Sequence, residues 1–197
     1  MNKKTIIFVT GNHYKFQAAK IALKNTGISL IQKRMEVPEI QDESVEKIAM
    51  FSASWAANIL KKPVIVSDGG FYIEASNGFP GPFIKYINKW LSPKDLLKIM
   101  SGKKNRRVVW VGCVAYCEPN KKSIVDIEKY NGKLALKPGE NIYRKNYGWI
   151  DTLFIPDGHK KPLSEWSTKN YIKFWGHKTR WIKIIKKVHN RYRYNKS

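Results

Sequence analysis

The sequence is poor in acidic residues. It contains 15 Asp and Glu against 37 Lys and Arg in 197 residues, which gives a formal net charge of +22. This excess of cations excludes a broadly acidic surface and favours anionic partners, of which nucleic acid is the most familiar. A biased genome, a polyphosphate ligand or an acidic partner protein would explain the charge equally well, and the composition leaves these alternatives open.

Cysteine is also scarce, since Cys113 and Cys117 are the only two in the chain. Both fall in one apolar segment that is predicted to be a strand, where positions i and i+4 lie about 13 Å apart. That separation is too long for a disulfide bond, and a lone pair of cysteines at this spacing does not make a zinc site. We therefore expect two reduced thiols in the core.

Long apolar runs are missing as well. No stretch of about 18 apolar residues occurs, so we expect no membrane-spanning segment and no membrane partner. The N-terminal segment MNKKTIIFVTGN has two lysines and an apolar run of about five residues, shorter than the roughly 7–15 residues in the apolar region of a signal peptide. We therefore interpret it as the first strand of a cytoplasmic protein.

The order of the predicted elements indicates an α/β fold. Strands alternate with helices in the first third of the chain, and a hairpin of two long strands follows over 107–130. We expect a mixed β-sheet flanked by helices, with a single domain over 1–189 and a basic tail over 190–197. Helices are predicted over about 13–25, 44–60, 93–100 and 179–188.

A first candidate site follows the first strand. Thr10, Gly11 and Asn12 form a turn into a helix, and Lys15 falls in the first turn of that helix. The N–H groups and dipole of a helix N-terminus attract phosphate, and a lysine amine at this position can reach the same anion. A single glycine does not make a Walker A loop, so an ordinary turn with a solvated lysine is the alternative.

The stretch VIVSDGGF supplies a second candidate site. An apolar run ends on Asp68, before Gly69 and Gly70, and an acid at the carboxyl end of a strand lies where α/β sheets bind ligands. Phosphate chemistry with Mg²⁺ usually needs two or more carboxylates there, but the neighbour of Asp68 is Ser67. Glu39, just before the second predicted helix, is either a metal ligand or a surface charge.

Two later segments carry groups that suit a purine base. Tyr147-Gly148-Trp149 places two aromatic side chains around a glycine, a shape that can sandwich a flat base; a pair of core aromatics is the alternative. Lys169, His177 and Lys178 precede the last predicted helix. A histidine at such a place is more often a structural or surface group.

Taken in order, these segments resemble the inosine triphosphate pyrophosphatase family, which acts on noncanonical purine nucleoside triphosphates. The resemblance runs from Thr10 to about Ile185. It rests on TGN followed by Lys15, on PEIQ with Glu39, on SDGGF with Asp68, and on NGFPGPF, YGWIDTLFIPDG, and KNYI before GHK. It implies an elongated mixed sheet in two lobes around a nucleotide cleft, a homodimer, and Mg²⁺-dependent hydrolysis of dITP, ITP and XTP to the monophosphate and pyrophosphate.

The resemblance also implies a role for each motif. Glu39 and Asp68 would hold Mg²⁺ or orient the attacking water, and together with Lys15 they make up the implied catalytic set. Water would attack the α-phosphorus while the metal and lysines hold the triphosphate. The implied substrate contacts are Thr10, Gly11, Asn12, Lys15, Tyr147, Gly148, Trp149, Asp151, Lys169, His177 and Lys178.

Several positions depart from the family pattern, and most of them bear on the chemistry rather than on the fold. A glutamate, a lysine, an acid and a hydroxyl residue of the family are replaced, in that order, at Ala18, Ser52, Ser67 and Gly69. Loss of one general base typically lowers a rate about 10²- to 10⁴-fold. We therefore expect substrate binding to be better preserved than turnover.

Three functions follow from these observations. The first is a nucleotide sensor that binds dITP, ITP or XTP with weak or lost hydrolysis and signals to a partner protein, as family members in anti-phage defence would. The second is an active Mg²⁺-dependent pyrophosphatase. The third, which the sequence does not favour, is a basic nucleic-acid-binding protein, suggested by the tail and by the basic loop 103–107.

Overall fold

The computed structural model describes residues 4–140, 148–176 and 178–194, with the backbone alone at 178–179 and 191–194. Strands and helices alternate up to β3, as predicted, and the other four described strands all come before the last two helices. The strands are β1 Lys4–Val9, β2 Ile28–Lys33, β3 Val64–Ile73, β4 Pro80–Gly81, β5 Arg107–Cys117, β6 Ile124–Leu134 and β7 Phe154–Pro156. The helices are α1 His13–Ala22, α2 Val45–Leu60, α3 Ile84–Trp90, α4 Pro93–Ile99, α5 Thr168–Trp175 and α6 Lys178–Tyr194.

These strands form one mixed sheet. The order is β2-β1-β3-β5-β6-β7, and β4 pairs with β3. Strand β1 runs parallel to both of its neighbours, with Ile6 opposite Leu30 of β2 and Ile7 opposite Val64 of β3. The pairs β3–β4 and β6–β7 are antiparallel. This mixed sheet with helices confirms the predicted α/β fold class.

The chain divides into two compact units. The first unit comprises Met1–Asp68, Cys113–Glu128 and Ile172–Ser197, and the second comprises Gly69–Gly112 and Lys129–Tyr171. Strands β3, β5 and β6 each have residues in both units. The expected single domain over 1–189 therefore stays a prediction.

The core of the first unit lies between the sheet, α1 and α6. Ile6 and Phe8 of β1 are fully buried, as the alternation of side chains along a strand requires. The Trp181 ring of α6 meets Phe8 edge-on, with the ring centroids 5.6 Å apart, and α1 also contacts α6. Helix α6 continues to Tyr194, beyond its predicted end near 188, so the basic tail begins as helix.

Strand β3 differs from the prediction, which had the apolar strand end on Asp68 before Gly69 and Gly70. The structure has one strand of ten residues, and neither Gly69 nor Gly70 has a positive φ. A Cβ at Gly69 would lie 3.1 Å from the carbonyl oxygen of Val111 and 3.2 Å from Trp110 Nε1. Gly69 thus allows a close approach to β5 rather than a turn, and Asp68 lies within the strand.

Smaller differences concern the helix ends. Helix α1 ends at Ala22 rather than near Asn25, which has a φ of 67° and is followed by Gly27 with a φ of 76°; these left-handed conformations stop a helix. Helix α5 was not predicted. Cys113 and Cys117 are buried and free, as expected. None of the helices in the described ranges combines the length and apolar character that a membrane span requires.

Gly132 of β6 provides a test of the packing between β6 and β7. A Cβ there would meet the carbonyl oxygen of Ile155 and lie 2.6 Å from Phe154 Cε2. We expect Gly132→Ala to lower the free energy of unfolding in urea by about 1–3 kcal/mol, because the backbone of β7 must shift. Gly11→Ala is the control, since nothing lies within 4 Å of its added Cβ; equal stability of the two variants would contradict this packing.

Candidate functional site

The turn between β1 and α1 is fixed by hydrogen bonds from its own side chains. Thr10 Oγ1 accepts from Asn12 N at 3.1 Å, and Asn12 Oδ1 caps α1 by accepting from Lys15 N at 3.0 Å. Gln32 Nε2 donates to the carbonyl oxygen of Thr10 at 3.0 Å. Gly11 is exposed and has open space where a Cβ would be. The turn therefore presents the N-terminus of α1 with room for a ligand beside it.

The side chain of Lys15 connects α1 to β3. Its Nζ donates to the carbonyl oxygen of Ser67 at 2.9 Å. Burial lowers the pKa of Lys15, the charge of Asp68 opposes this shift, and the charge of Arg180 adds to it. The structure thus brings together two residues that the sequence predicted for one site, Lys15 and Asp68.

Ser67 and Asp68 occupy different surroundings in β3. Ser67 is buried, with 9% of its surface exposed, whereas Asp68 is half-buried. Because successive side chains of a strand point to opposite faces, these two side chains leave the sheet on opposite sides. Residues 67 and 68 therefore do not place adjacent side chains on one face of the sheet.

The thiol of Cys113 lies in the same electrostatic environment. Burial raises the pKa of the Cys113 thiol strongly, and the charges of Asp68 and Glu46 raise it further, while Arg180 and Lys15 oppose the shift. A raised pKa favours the protonated thiol, which is a weak nucleophile. Cys113 is a fully buried core residue.

Arg180 also acts on the charges of Lys15 and Cys113, although the sequence motifs did not predict it as a site residue. It lies in the first turn of α6 with only 5% of its surface exposed, and its Nη2 donates to the carbonyl oxygen of Trp175 at 3.3 Å. The guanidinium lies over the Trp181 ring, 5.7 Å from the centroid. The one signal in the sequence is an arginine beside a tryptophan at a helix start, which does not indicate burial.

The donor atoms at the site can be tested against a bound Mg²⁺. Among the residues that the structure describes, no cluster of three or more His, Cys, Asp or Glu could hold a metal ion. Mg²⁺ usually takes one or two carboxylates and completes its shell with water and substrate phosphates. Asp68 fits as one such ligand. Glu39 lies exposed in the segment between β2 and α2.

The predicted base-binding residues lie mostly in the second unit. Trp149 starts a short helical turn, and its Nε1 donates to the carbonyl oxygen of Asn88 at 3.1 Å. Gly148 packs against the same asparagine, whose Nδ2 would lie 2.7 Å from an added Cβ. Asp151 is 2% exposed, and Lys169 is exposed in the first turn of α5.

Three of the predicted residues cannot be placed in this way. Tyr147 and His177 lie outside the described residues, and only the backbone of Lys178 is described. The roles of the base-binding residues therefore stay predictions. The arrangement that the structure does show is a capped helix N-terminus, a half-buried lysine and a half-buried carboxylate within the first unit.

The fold has close counterparts among solved structures. The Ham1 protein of Staphylococcus aureus matches with a TM-score of 0.73 at 20% identity, covering 96% of this chain and 100% of that one. A HAM1 protein from Coxiella burnetii matches with a TM-score of 0.74 at 17% identity, covering 95% of this chain and 99% of that one. These similarities show a shared fold.

Sequence comparison also identifies the family to which the chain is related. A dITP/XTP pyrophosphatase of Methanopyrus kandleri is 35% identical over 176 residues, which is 89% of this chain and 90% of that protein. A dITP/XTP pyrophosphatase of Methanosarcina mazei is 41% identical over 130 residues, or 66% of this chain and 71% of that protein. The Ham1 family matches residues 6–181. The chain therefore belongs to the Ham1 family, which confirms the resemblance inferred from its motifs.

Proposed function

We propose that the protein binds noncanonical purine nucleoside triphosphates, such as dITP, ITP and XTP, with weak or absent hydrolysis. The observation that carries this proposal is Lys15, whose ammonium group is held at the Ser67 carbonyl beside Asp68. A half-buried cation at a helix N-terminus is suited to a phosphate chain. The dITP/XTP pyrophosphatases among its relatives support a nucleotide of this class.

Each described residue of the site has a distinct part in this proposal. Lys15 would neutralise phosphate charge, and the backbone N–H groups after Gly11 would orient the phosphate chain. Asp68 would position a water molecule near the α-phosphorus or hold Mg²⁺, with Glu39 as the predicted second ligand. Bound Mg²⁺ would supply charge neutralisation on the phosphates.

Weak turnover follows from the groups that this chain replaces. The resemblance implies a glutamate, a lysine, an acid and a hydroxyl residue where this chain has Ala18, Ser52, Ser67 and Gly69. Binding is less affected, because phosphate affinity is shared among cations and backbone N–H groups. Retained binding with slow turnover suits a sensor that reports nucleotide levels to a partner protein, and the +22 charge favours an acidic partner.

An active pyrophosphatase is the second candidate. It is supported by the retention of Asp68 and by the names of relatives that are 35% and 41% identical to this chain over 176 and 130 aligned residues. The two candidates differ in one measurable quantity, the rate of pyrophosphate release from the bound triphosphate.

The purified full chain should therefore be incubated with dITP, ITP, XTP and dATP in Mg²⁺, with binding and pyrophosphate release both measured. We expect micromolar binding of the first three and release slower than about 1 s⁻¹, the lower end of typical enzyme turnover. Lys15→Met should weaken binding at least about tenfold, while the exposed Lys20→Met should not. Faster release would establish the second candidate, and no binding would refute both.

Substitution of Asp68 tests nucleotide binding and hydrolysis separately. We expect Asp68→Asn to abolish any residual pyrophosphate release, because the positioned carboxylate is lost. The same variant should bind dITP more tightly when no Mg²⁺ is present, because a negative charge beside Lys15 has been removed. Calorimetric titration in EDTA checks this, with the exposed Glu43→Gln as control; weaker binding by Asp68→Asn would mean that Asp68 contacts the ligand as an acceptor.

Lys15 also affects the stability of the folded protein. Since burial lowers its pKa from the ordinary 10.5, the charged form is less stable in the folded than in the unfolded chain. This penalty is complete below the folded pKa and disappears as the pH rises towards 10.5. We expect Lys15→Met to raise the free energy of unfolding at pH 7, with a gain that shrinks towards pH 10.5.

Urea unfolding across this pH range measures the effect, with Lys20→Met as the matched control on the exposed side of α1. A loss of stability at every pH would mean that the hydrogen bond to Ser67 outweighs the desolvation of Lys15. Removal of a binding group often stabilises a protein in this way, because function rather than stability selected the group.

A further inference from the structure

A second concave surface lies entirely within the second unit and shares no residue with the Lys15 site. It is an open pocket of about 510 Å³ between the end of β6, the segment 135–139 and the segment 160–165. Its volume falls in the range of small-molecule sites, roughly 300–1,000 Å³. The size alone suits a ligand no larger than a nucleotide.

The lining of this pocket carries an excess of positive charge. Five cationic side chains line it against one carboxylate, and that carboxylate is matched by a lysine amine 3.6 Å away. The excess of cations on a concave wall concentrates positive potential, which attracts anions. The charged lining residues are Arg106, Lys133, Lys137, Lys160, Lys161 and Glu165.

The wall that carries these groups is held in place by hydrogen bonds. Arg106 Nη2 donates to the carbonyl oxygen of Ala135 at 2.7 Å, and its Nε donates to that of Leu134 at 3.3 Å. Gly139 N donates to the carbonyl oxygen of Thr152 at 2.8 Å. The segment between these anchors therefore has little freedom to lose when a ligand binds, which favours affinity.

An apolar surface lies among the cations. Leu136 has 83% of its surface exposed although it is a large aliphatic residue, and Pro138 beside it is exposed as well. Ile155 and Pro162 add to the apolar lining. A phosphate ion alone would leave this surface in water, whereas an organic phosphate would cover it.

We propose that this pocket binds a small organic phosphate, with the apolar body on Leu136 and Pro138 and the phosphate group among the lysines. The proposal does not depend on nucleotide binding at Lys15, since the two sites share no residue. An acidic peptide would suit the charges but would find in a pocket of 510 Å³ room for only a few side chains.

Phenyl phosphate is the simplest probe, because it joins the phosphate to a flat apolar body. We expect its titration into the ¹⁵N-labelled full chain to give saturable NMR shifts at 133–139 and 160–165. Inorganic phosphate should bind there about tenfold more weakly, since it buries no apolar area. The titration is repeated with the Lys15→Met variant, in which we expect these shifts to be unchanged although the first site is lost.

Substitutions in the pocket test where the phosphate group and the apolar body of the ligand bind. Lys133→Gln with Lys160→Gln should weaken phenyl phosphate binding about tenfold, and Leu136→Ser should remove its advantage over inorganic phosphate. The matched control is Lys89→Gln with Lys94→Gln, which removes the same charge from exposed positions on α3 and α4.

Three outcomes would overturn the proposal. Equal weakening by both double variants would show attraction to the basic surface as a whole. Shifts that vanish in Lys15→Met would place the ligand at the first site. A glutamate hexapeptide that binds the pocket more tightly than phenyl phosphate would establish an acidic segment as the occupant.

Discussion

The hydrogen bond from Lys15 Nζ to the carbonyl oxygen of Ser67 joins the first helix to the strand that carries Asp68. It requires α1 to begin where the Asn12 side chain caps it, because a shift of one residue would rotate the lysine by about 100° around the helix. It also requires the backbone of β3 to be extended at Ser67. The candidate site therefore exists only if the turn, the helix and the strand form together.

This same contact places a cation where water is scarce. Burial and the nearby Arg180 both lower the pKa of Lys15, and Asp68 only partly compensates. In the proposed function, a phosphate chain would bring negative charge next to these cations. In a chain with a net charge of +22, affinity for anions is general, so under the proposed function selectivity for a triphosphate would come from this arrangement.

Local features of the sequence predicted the parts of this arrangement that depend on near neighbours. The starts of α1 and α4 were predicted near residues 13 and 93, and the caps at Asn12 and Ser92 that set them act through side chains within three residues. The course of β3 through Gly69 was mispredicted, because Trp110 and Val111 of a distant strand decide it. The burial of Arg180 depends likewise on the packing of α6 against β1, which no spacing rule encodes.

Under the proposed function, binding and hydrolysis would respond differently to the substitutions in this chain. Affinity for a phosphate chain would be divided among Lys15, Arg180 and the N-terminus of α1, so the loss of one contributor would weaken it by degrees. Hydrolysis depends on groups that act as a unit, and removal of one member of such a set can remove most of the rate. In the proposed function the reaction therefore depends on Asp68, whereas the side chain of residue 67 lies on the opposite face of the sheet.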